Sequence, residues 1–160
     1  MIISNVQPLP HVRPAVMGDY NDLIAMGHEV FQENGLLALD EDLIRAGAIA
    51  AIQGADSVVG CIGPVGALEA AIHLSMCRFW YTHEAHLEEM WAVVRPGFRK
   101  SKNAQALIEF AKDLAIELKR PLLIGVLSSQ RTEAKVKMYR RKLGAPTGAY
   151  FLFNAETGVG

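Results

Sequence analysis

The spacing of apolar residues changes several times along the chain, and each change marks a predicted element. Four segments carry apolar side chains at helical spacing: residues 19–34, 41–53, 104–118 and 132–143. Asp19 and Asp40 stand at the starts of the first two segments and are predicted to cap them. Gly35, Gly54 and Gly144 follow three of the segments and are predicted to end them.

Between these helices the apolar residues alternate or run together, as they do in strands. The predicted strands are residues 11–16, 57–63, 67–81, 86–94, 121–127 and 149–153. Pro14 restricts the first to an edge strand or a strand end, and residues 121–127 are predicted to be fully buried. The three consecutive strands predict an antiparallel meander, and the later alternation with helices predicts a parallel crossover. The expected fold is mixed α/β, with a single central, mostly antiparallel sheet flanked by about four helices.

Length and composition are those of an ordinary globular domain. The chain has 160 residues, of which 51% are apolar and 21% charged, and residues 1–160 are expected to form one domain. Residues 1–10 contain two prolines and are predicted to be a loose N-terminal segment. No apolar run reaches the ~18 residues of a membrane span, so no membrane partner is expected. Cys61 and Cys77 give no disulfide framework, which favours a cytoplasmic location.

The charge is unevenly distributed although the net value is only −1. Residues 1–94 hold 3 Lys and Arg against 12 Asp and Glu, whereas residues 95–160 hold 13 against 5. This asymmetry indicates a basic C-terminal half that meets an anion. The alternative, that the two halves neutralise each other when packed together, stays open at this point.

The stretch "VVRPGFRKSKNAQAL" joins a predicted strand to a predicted helix through a basic loop. Four cations lie within eight residues: Arg95, Arg99, Lys100 and Lys102. A helix N-terminus carries unpaired N–H groups and a partial positive charge, so such a loop accepts a phosphate. The competing interpretation is a solvated basic loop without a ligand.

The segment "HLEEMWAVVRPGFRKSKNAQALIEFAKDLA" resembles the central motif of the GNAT superfamily of acetyl-CoA-dependent N-acyltransferases. The family's Arg/Gln-x-x-Gly-x-Gly/Ala loop maps to residues 99–104, with Lys102 in place of the first glycine. "LLIGVLSS" and "QRTEAKVKMYRRKLGA" are similar to the next strand and the last helix. The resemblance covers most of the chain and is strongest over residues 86–153.

This resemblance implies an N-acetyltransferase that uses acetyl-CoA as co-substrate and moves the acetyl group to a primary amine by direct attack in a ternary complex. Backbone amides around residues 100–104 would cradle the pyrophosphate, while Arg99 and the lysines add charge. The implied cofactor-binding residues are Ala92, Val94, Arg99, Lys100, Ser101, Lys102, Asn103 and Ala104. Lysine at position 102 carries a Cβ where glycine would allow close backbone approach or a positive φ.

Three chemical tasks then need groups: a base for the amine, a donor for the oxyanion and an acid for the thiolate. The resemblance implies Glu88 as the base, and strand alternation puts it on the face of His86 and Met90, opposite Glu89. Glu89 is the second candidate base. The amides of the strand around Ala92 and Val94 are implied as donors where the strand splays.

Tyr139 is implied as the acid near the departing thiolate, and a phenol of pKa ≈ 10 suits that task. His83 and His86 have a weak metal-binding spacing, and no metal is expected. His86 could also position a substrate or relay a proton. Cys61 and Cys77 are expected to be buried apolar thiols.

Several partners stay open from the sequence. Acidic residues before position 95 favour a cationic acceptor, either a small-molecule or a protein amine; these are Asp40, Glu41, Asp42, Glu84, Glu88 and Glu89. The competing functions are a non-catalytic acyl-CoA-binding or structural relative and a nucleic-acid-binding module, but nucleic acid is not expected at a pI near 6.5. Residues 149–153 either pair across a homodimer or are buried inside the monomer.

Overall fold

The computed structural model describes residues 9–54, 56–128 and 130–153. The elements in chain order are β1 (Arg13–Pro14), α1 (Tyr20–Asn34), α2 (Glu41–Gln53), β2 (Ser57–Ile62), β3 (Ala70–Arg78), β4 (Ala85–Val94), α3 (Asn103–Leu118), β5 (Leu122–Leu123) and α4 (Thr132–Leu143). Short 3-10 turns precede α1 and follow β4. Most of the predicted loose segment, residues 1–8, lies outside the described residues.

The five strands form one sheet in the order β1-β2-β3-β4-β5. The first three neighbouring pairs are antiparallel, and β5 runs parallel to β4 after the α3 crossover. The predicted fold class is therefore confirmed, with four α-helices beside a mostly antiparallel sheet. Pro14 lies on the edge strand, where its missing N–H costs no central ladder bond.

Helices cover both faces of this sheet. On one face α1 and α2 pack Leu23, Met26 and Ala51 against β2, β3 and β4. On the other face α3 packs Ala106, Leu107, Ala111 and Ala115 against Ile72, Leu74 and Leu87. Because strand side chains alternate in direction, the two clusters draw on neighbouring residues of the same strands. The two-sided core fixes β4 and the start of α3, which carry the candidate site.

The helix ends follow the predicted signals closely. Asp40 Oδ1 accepts the amides of Asp42 and Leu43 at 2.9 and 3.2 Å, and Gly54 closes α2 with φ 71°. Asp19 is the residue before α1, but its side chain makes no cap hydrogen bond. Its carboxylate instead forms a buried ion pair with Arg13, which holds β1 to the start of α1.

Two strand predictions are wrong in the C-terminal part. Only Leu122 and Leu123 of the predicted strand 121–127 pair with β4, and both are half-buried rather than fully buried. Residues 149–153 form no strand and are not buried in the monomer, since Phe151 is 94% exposed. A sheet that ends in a two-residue strand offers residues 149–153 almost no edge to pair with. None of the helices within the described residues is long and apolar enough to cross a membrane.

Candidate active site

A β-bulge in β4 changes which residues share a face of the sheet. The pairing with β3 shifts between His73 and Leu74, so that Trp91 lies opposite His73 and Glu89 lies opposite Leu74. Met90 is the extra residue on β4. Simple alternation would place Trp91 on the face opposite Glu88, so it fails beyond this point. The observed register places Trp91 and Glu88 on the same face of the sheet, the one that α1 and α2 cover.

Beyond the bulge, β4 has a free outer edge. β5 pairs only with Leu87 and Glu88, so among the described residues no strand continues alongside the rest of β4. The amide of Arg95 donates to Glu69 O on the β3 side. Since alternate residues of an antiparallel strand point their amides to the same neighbour, those of Val94 and Ala92 point outward. These are the two amides that the resemblance implies as oxyanion donors.

Glu89, at the bulge, has the electrostatic surroundings of a base. Burial raises the pKa of its carboxyl to about 7, although the Tyr139 hydroxyl and the Lys135 ammonium pull that pKa down. Its Oε2 atom is buried and has no hydrogen-bond partner among the described residues. A carboxylate with a pKa near neutrality and an unpaired oxygen can take a proton from an amine.

Tyr139 is the polar neighbour of Glu89 from α4. Burial, and then the charge of Glu89, raise the pKa of its phenol well above the usual value. The hydroxyl therefore keeps its proton at neutral pH, and it is a weaker acid than the phenol of pKa ≈ 10 expected from the sequence. It can donate a hydrogen bond to a thiolate that forms beside it. The pair brings a proton acceptor and a proton donor to one place on β4.

Glu88, the predicted base, lies beside His86 instead. Glu88 Oε2 is 2.9 Å from His86 Nε2, and the buried His86 ring stacks on Phe79 at a centroid distance of 4.5 Å. This carboxylate has a hydrogen-bond partner, in contrast to Glu89 Oε2. The shared face of His86 and Glu88 agrees with strand alternation before the bulge.

The predicted phosphate loop ends at the N-terminus of α3. The N-cap residue, Lys102, makes no side-chain cap bond and has φ −88°. The lysine therefore adopts an ordinary backbone conformation and does not need the freedom of glycine. Lys100 and Lys102 are exposed, and Ala104 lies in the first turn of α3. Phosphate binding here stays a prediction, which rests on the general affinity of helix N-termini for phosphates.

Two polar residues of the same loop are engaged internally. Ser101 Oγ donates to Phe98 O at 2.5 Å and accepts the Asn103 amide at 3.1 Å. Asn103 is buried and its Nδ2 donates to Glu69 Oε2 at 3.0 Å. These contacts shape the loop and join it to the turn before β3, so the two side chains support the loop rather than face solvent.

Both arginines of the loop bind carboxylates of α1. Arg99 is paired with Glu33, and its Nε donates to Val94 O at 3.1 Å. Arg95 binds Asp22 at 2.8 Å and Glu29 at 3.1 Å. The basic loop and the acidic N-terminal part therefore do neutralise each other in part, which was the alternative interpretation of the charge asymmetry. A pocket of about 250 Å³ lies between α1 and these arginines.

The remaining candidates are structural. No group of three or more His, Cys, Asp or Glu residues capable of holding a metal occurs in the described part of the chain. Cys61 is buried, and burial raises the pKa of its thiol to about 12, so it is no nucleophile at neutral pH. Cys77 is only half-buried. Asp40 caps α2 and Glu41 pairs with Arg45, so these two acidic residues are used within α2.

Two residues of the site carry no sequence signal that would single them out. Glu33 lies 66 positions before Arg99, and Lys135 is one of several cations on α4. Glu89 was visible as the second carboxylate of "EE", but its environment depends on a bulge that no glycine or proline marks. Pairings over such sequence distances follow from the packing of α1 and α4 around β4.

Solved structures of known proteins share this fold. AAC(6′)-Iy in complex with the bisubstrate analogue CoA-S-monomethyl-acetylneamine matches with a TM-score of 0.70 and 11% identity, over 94% of this chain and 100% of that one. The ribosomal-protein-alanine N-acetyltransferase from Brucella melitensis biovar Abortus 2308 matches with a TM-score of 0.68 and 15% identity, over 92% and 100%. The aminoglycoside 6′-N-acetyltransferase AAC(6′)-Ih from Acinetobacter baumannii matches with a TM-score of 0.68 and 14% identity, over 92% and 99%.

These similarities are structural. No protein-family model matches the sequence, and no curated protein matches it. The identities of the matched structures establish the fold alone, which is the GNAT fold that the sequence resemblance implied.

Proposed function

We propose that the protein is an N-acetyltransferase that moves an acetyl group from acetyl-CoA to a primary amine by direct attack in a ternary complex. The observation that carries this proposal is the Glu89–Tyr139 pair at the bulge of β4. It combines a carboxyl whose pKa is about 7 with a phenol that keeps its proton, beside the outward amides of β4.

The coenzyme is proposed to bind with its phosphates on the loop before α3. The helix N-terminus and the exposed side chains of Lys100 and Lys102 support this assignment. Backbone amides of residues 100–104 would hold the pyrophosphate, and those of Ser101 and Asn103 would exchange their bonds to Phe98 O and Ser101 Oγ for it. The complex of AAC(6′)-Iy with a CoA-containing analogue supports coenzyme A as the donor.

The proposed roles at the reaction centre follow from the contacts. The thioester of the bound coenzyme supplies the acetyl group. Glu89 accepts the proton that the acceptor ammonium must lose before its nitrogen can attack. The amides of Ala92 and Val94 donate to the carbonyl oxygen as it gains negative charge. When the C–N bond has formed and the C–S bond breaks, Tyr139 passes its hydroxyl proton to the sulfur and takes the second proton of the new amide nitrogen, so that the phenol is restored.

Glu88 stays a second candidate for the base. Its bond to His86 offers a route for a proton through the imidazole, whereas Glu89 has the raised pKa and the unpaired oxygen. The geometry favours Glu89. A comparison of the two glutamine variants decides between them.

The acceptor is proposed to be a cationic amine. Glu84 is exposed in the turn before β4, and Glu88 and Glu89 lie on β4 itself, so three carboxylates lie on or next to the strand that carries the bulge. Among the matched structures, two are named for aminoglycoside 6′-N-acetylation and one for ribosomal-protein-alanine N-acetylation. Both a small-molecule amine and a protein amine therefore fit the proposal.

Release of free thiol from acetyl-CoA, measured with a panel of cationic and neutral amines, tests this function. Thermal unfolding with acetyl-CoA is measured beside it, because a ligand at a hundred times its Kd adds ~2.7 kcal/mol of stability. Thermal stabilisation without thiol release from any amine would assign the chain to the non-catalytic coenzyme-binding relatives. No stabilisation at millimolar acetyl-CoA would refute both assignments.

A further inference from the structure

Lys135, on the first turn of α4, lies among groups from two other parts of the chain. Its Nζ is 3.5 Å from Glu33 Oε2 and 3.3 Å from Asn34 Oδ1, both at the end of α1. The same atom is 3.0 Å from Ser128 Oγ in the segment after β5. The side chain is half-buried, so these contacts hold the ammonium in one place between α1 and α4.

Glu33 connects this ammonium to the proposed coenzyme loop. One carboxylate oxygen, Oε2, faces Lys135, and the other, Oε1, pairs with Arg99. A single carboxylate thus bridges a cation of the loop and a cation of α4. Any anion that draws Arg99 away from Glu33 must change the interaction of Glu33 with Lys135.

Lys135 also acts on the proposed base. It lies one helical turn before Tyr139, so the two side chains project from the same face of α4. Tyr139 and Lys135 are the polar neighbours that perturb Glu89, and the charge of Lys135 favours the ionised carboxylate. On β3, the residue opposite Glu89 is the apolar Leu74.

We propose that Lys135 is a positioning residue that couples the Arg99–Glu33 ion pair to the Glu89 carboxyl, so that a phosphate on Arg99 makes Glu89 a stronger base. The phosphate competes with Glu33 for Arg99, and Glu33 then turns more fully to Lys135. Lys135 in turn stabilises the Glu89 carboxylate less, and the carboxyl holds a proton more tightly. The inference rests on the proposed function for the role of Glu89.

The titration of Glu89 can be followed without turnover by ¹³C NMR of the glutamate side chains, with Glu89→Gln identifying the signal. Lys135→Met should raise the titration midpoint by about half a pH unit, since a neighbouring charge moves a carboxyl pKa by up to a few units. Glu33→Gln should lower the midpoint, because Lys135 loses a competing carboxylate. In the Lys135→Met background, Glu33→Gln should have no further effect.

Coenzyme A is the probe for the coupling itself. Its addition should raise the Glu89 midpoint in the unmodified chain and leave it unchanged in Lys135→Met. Lys135→Arg, which keeps the charge, should restore the response. Glu29→Gln is the matched control, because it removes another ion pair between α1 and the loop without touching Lys135.

Equal midpoints in the unmodified chain, Lys135→Met and Glu33→Gln would overturn the proposal, as would shifts of the same sign in both variants. A purely structural role for Lys135 would lower stability without moving the two midpoints in opposite directions. The proposed function fails if the unmodified chain releases no thiol from acetyl-CoA. The NMR titration does not depend on turnover, so it tests the role of Lys135 whether or not thiol is released.

Discussion

Arg99 pairs with Glu33 across 66 positions of sequence, and this contact joins the end of α1 to the loop that precedes α3. The guanidinium that the family resemblance assigns to the coenzyme is thus bound to a carboxylate in the same chain. Arg99 also donates to Val94 O at 3.1 Å, so its position is fixed relative to the outer edge of β4. A phosphate must therefore displace Glu33 or share the guanidinium with it.

Replacing Glu33 by Gln should tighten coenzyme binding. The substitution removes a carboxylate that competes for Arg99, and a partly exposed ion pair of this kind is worth about 0.2–1 kcal/mol. The dissociation constant of coenzyme A, measured by calorimetry, should fall by about two- to fivefold.

The matched control is Glu29→Gln, which removes the neighbouring ion pair to Arg95. Arg95 remains held by Asp22 and by Leu68 O at 2.9 Å, so its charge stays away from the ligand. Coenzyme affinity should be unchanged in this variant. An equal gain in both variants would show that net charge, and not the Arg99–Glu33 contact, sets the affinity.

The two carboxylates of β4 should differ in their effect on catalysis. Glu89→Gln removes the proposed proton acceptor and should lower kcat at pH 7.5 by about 100-fold or more. Glu88→Gln is the isosteric control next to it on the strand. It should lower kcat much less, because Glu89 is the carboxyl whose pKa lies near neutrality. Steady-state thiol release measures both, and the reverse ranking would assign the base role to Glu88 and His86.

Local signals in the sequence were enough to predict the helices. Asp40 caps α2 and Gly54 ends it, as predicted. In α3, most of the residues predicted to form the apolar face are buried. The strand predictions were weaker at the C-terminal end, because apolar composition says nothing about whether a neighbouring edge is available. Residues 149–153 are apolar and yet exposed for that reason.

The candidate site was predicted in outline but not in detail. The basic loop is visible in the residue types, whereas Tyr139 and a glutamate on β4 were implied by the family resemblance. The choice between Glu88 and Glu89 does not, because the extra residue Met90 alters the alternation and has no distinctive composition. Glu33 contacts Arg99 and Lys135 because α1 packs beside the loop and α4. No local pattern in a single sequence indicates contacts between residues so far apart along the chain.

Tyr139→Phe should slow the reaction and also displace its pH dependence. Loss of the phenol removes the proton donor for the thiolate, which should lower kcat by about 10- to 100-fold. The hydroxyl also lowers the pKa of Glu89, so its removal should move the acid limb of the pH–rate profile upward. A lower kcat with an unmoved acid limb would contradict the contact between the two side chains.

The buried Arg13–Asp19 pair should be the most costly ion pair to break. Asp19 is fully buried and accepts two bonds from Arg13, at 2.8 and 3.0 Å, and the amides of Val16 and Gly66 at 2.9 and 3.1 Å. Asp19→Ala should lower the free energy of unfolding by about 3 kcal/mol, since it strands the arginine and two amides. Glu41→Gln, at an exposed pair, should cost under about 1 kcal/mol in the same denaturant titration.

This pair should also contribute to acid unfolding. Desolvation pushes the pKa of Asp19 upward, but the bonds from Arg13 and the two amides outweigh it and leave the pKa below its ordinary value. A depressed pKa stabilises the fold above the unfolded-state value of ~3.9 and is lost as the pH falls through the folded-state value. The stability of the unmodified chain should therefore approach that of Asp19→Ala as the pH falls through the folded-state pKa of Asp19. If the difference in the free energy of unfolding between the two chains did not change with pH, the packing of Asp19 and not its charge would account for that difference.

Glu89 should make the opposite contribution to stability, and this can be measured without any substrate. Its pKa is raised to about 7 in the folded chain, against ~4.3 when unfolded, so the folded state binds the extra proton between those values. The fold is then destabilised as the pH rises through that window, by up to about 1.4 kcal/mol for each unit of displacement. Glu89→Gln cannot ionise, so its free energy of unfolding should exceed that of the unmodified chain at pH 8 and approach it near pH 4.

Urea titrations at the two pH values test this, with Glu88→Gln as the control. Parallel pH dependence in Glu89→Gln and the unmodified chain would show that Glu89 does not titrate near neutrality, and the base assignment would fall with it.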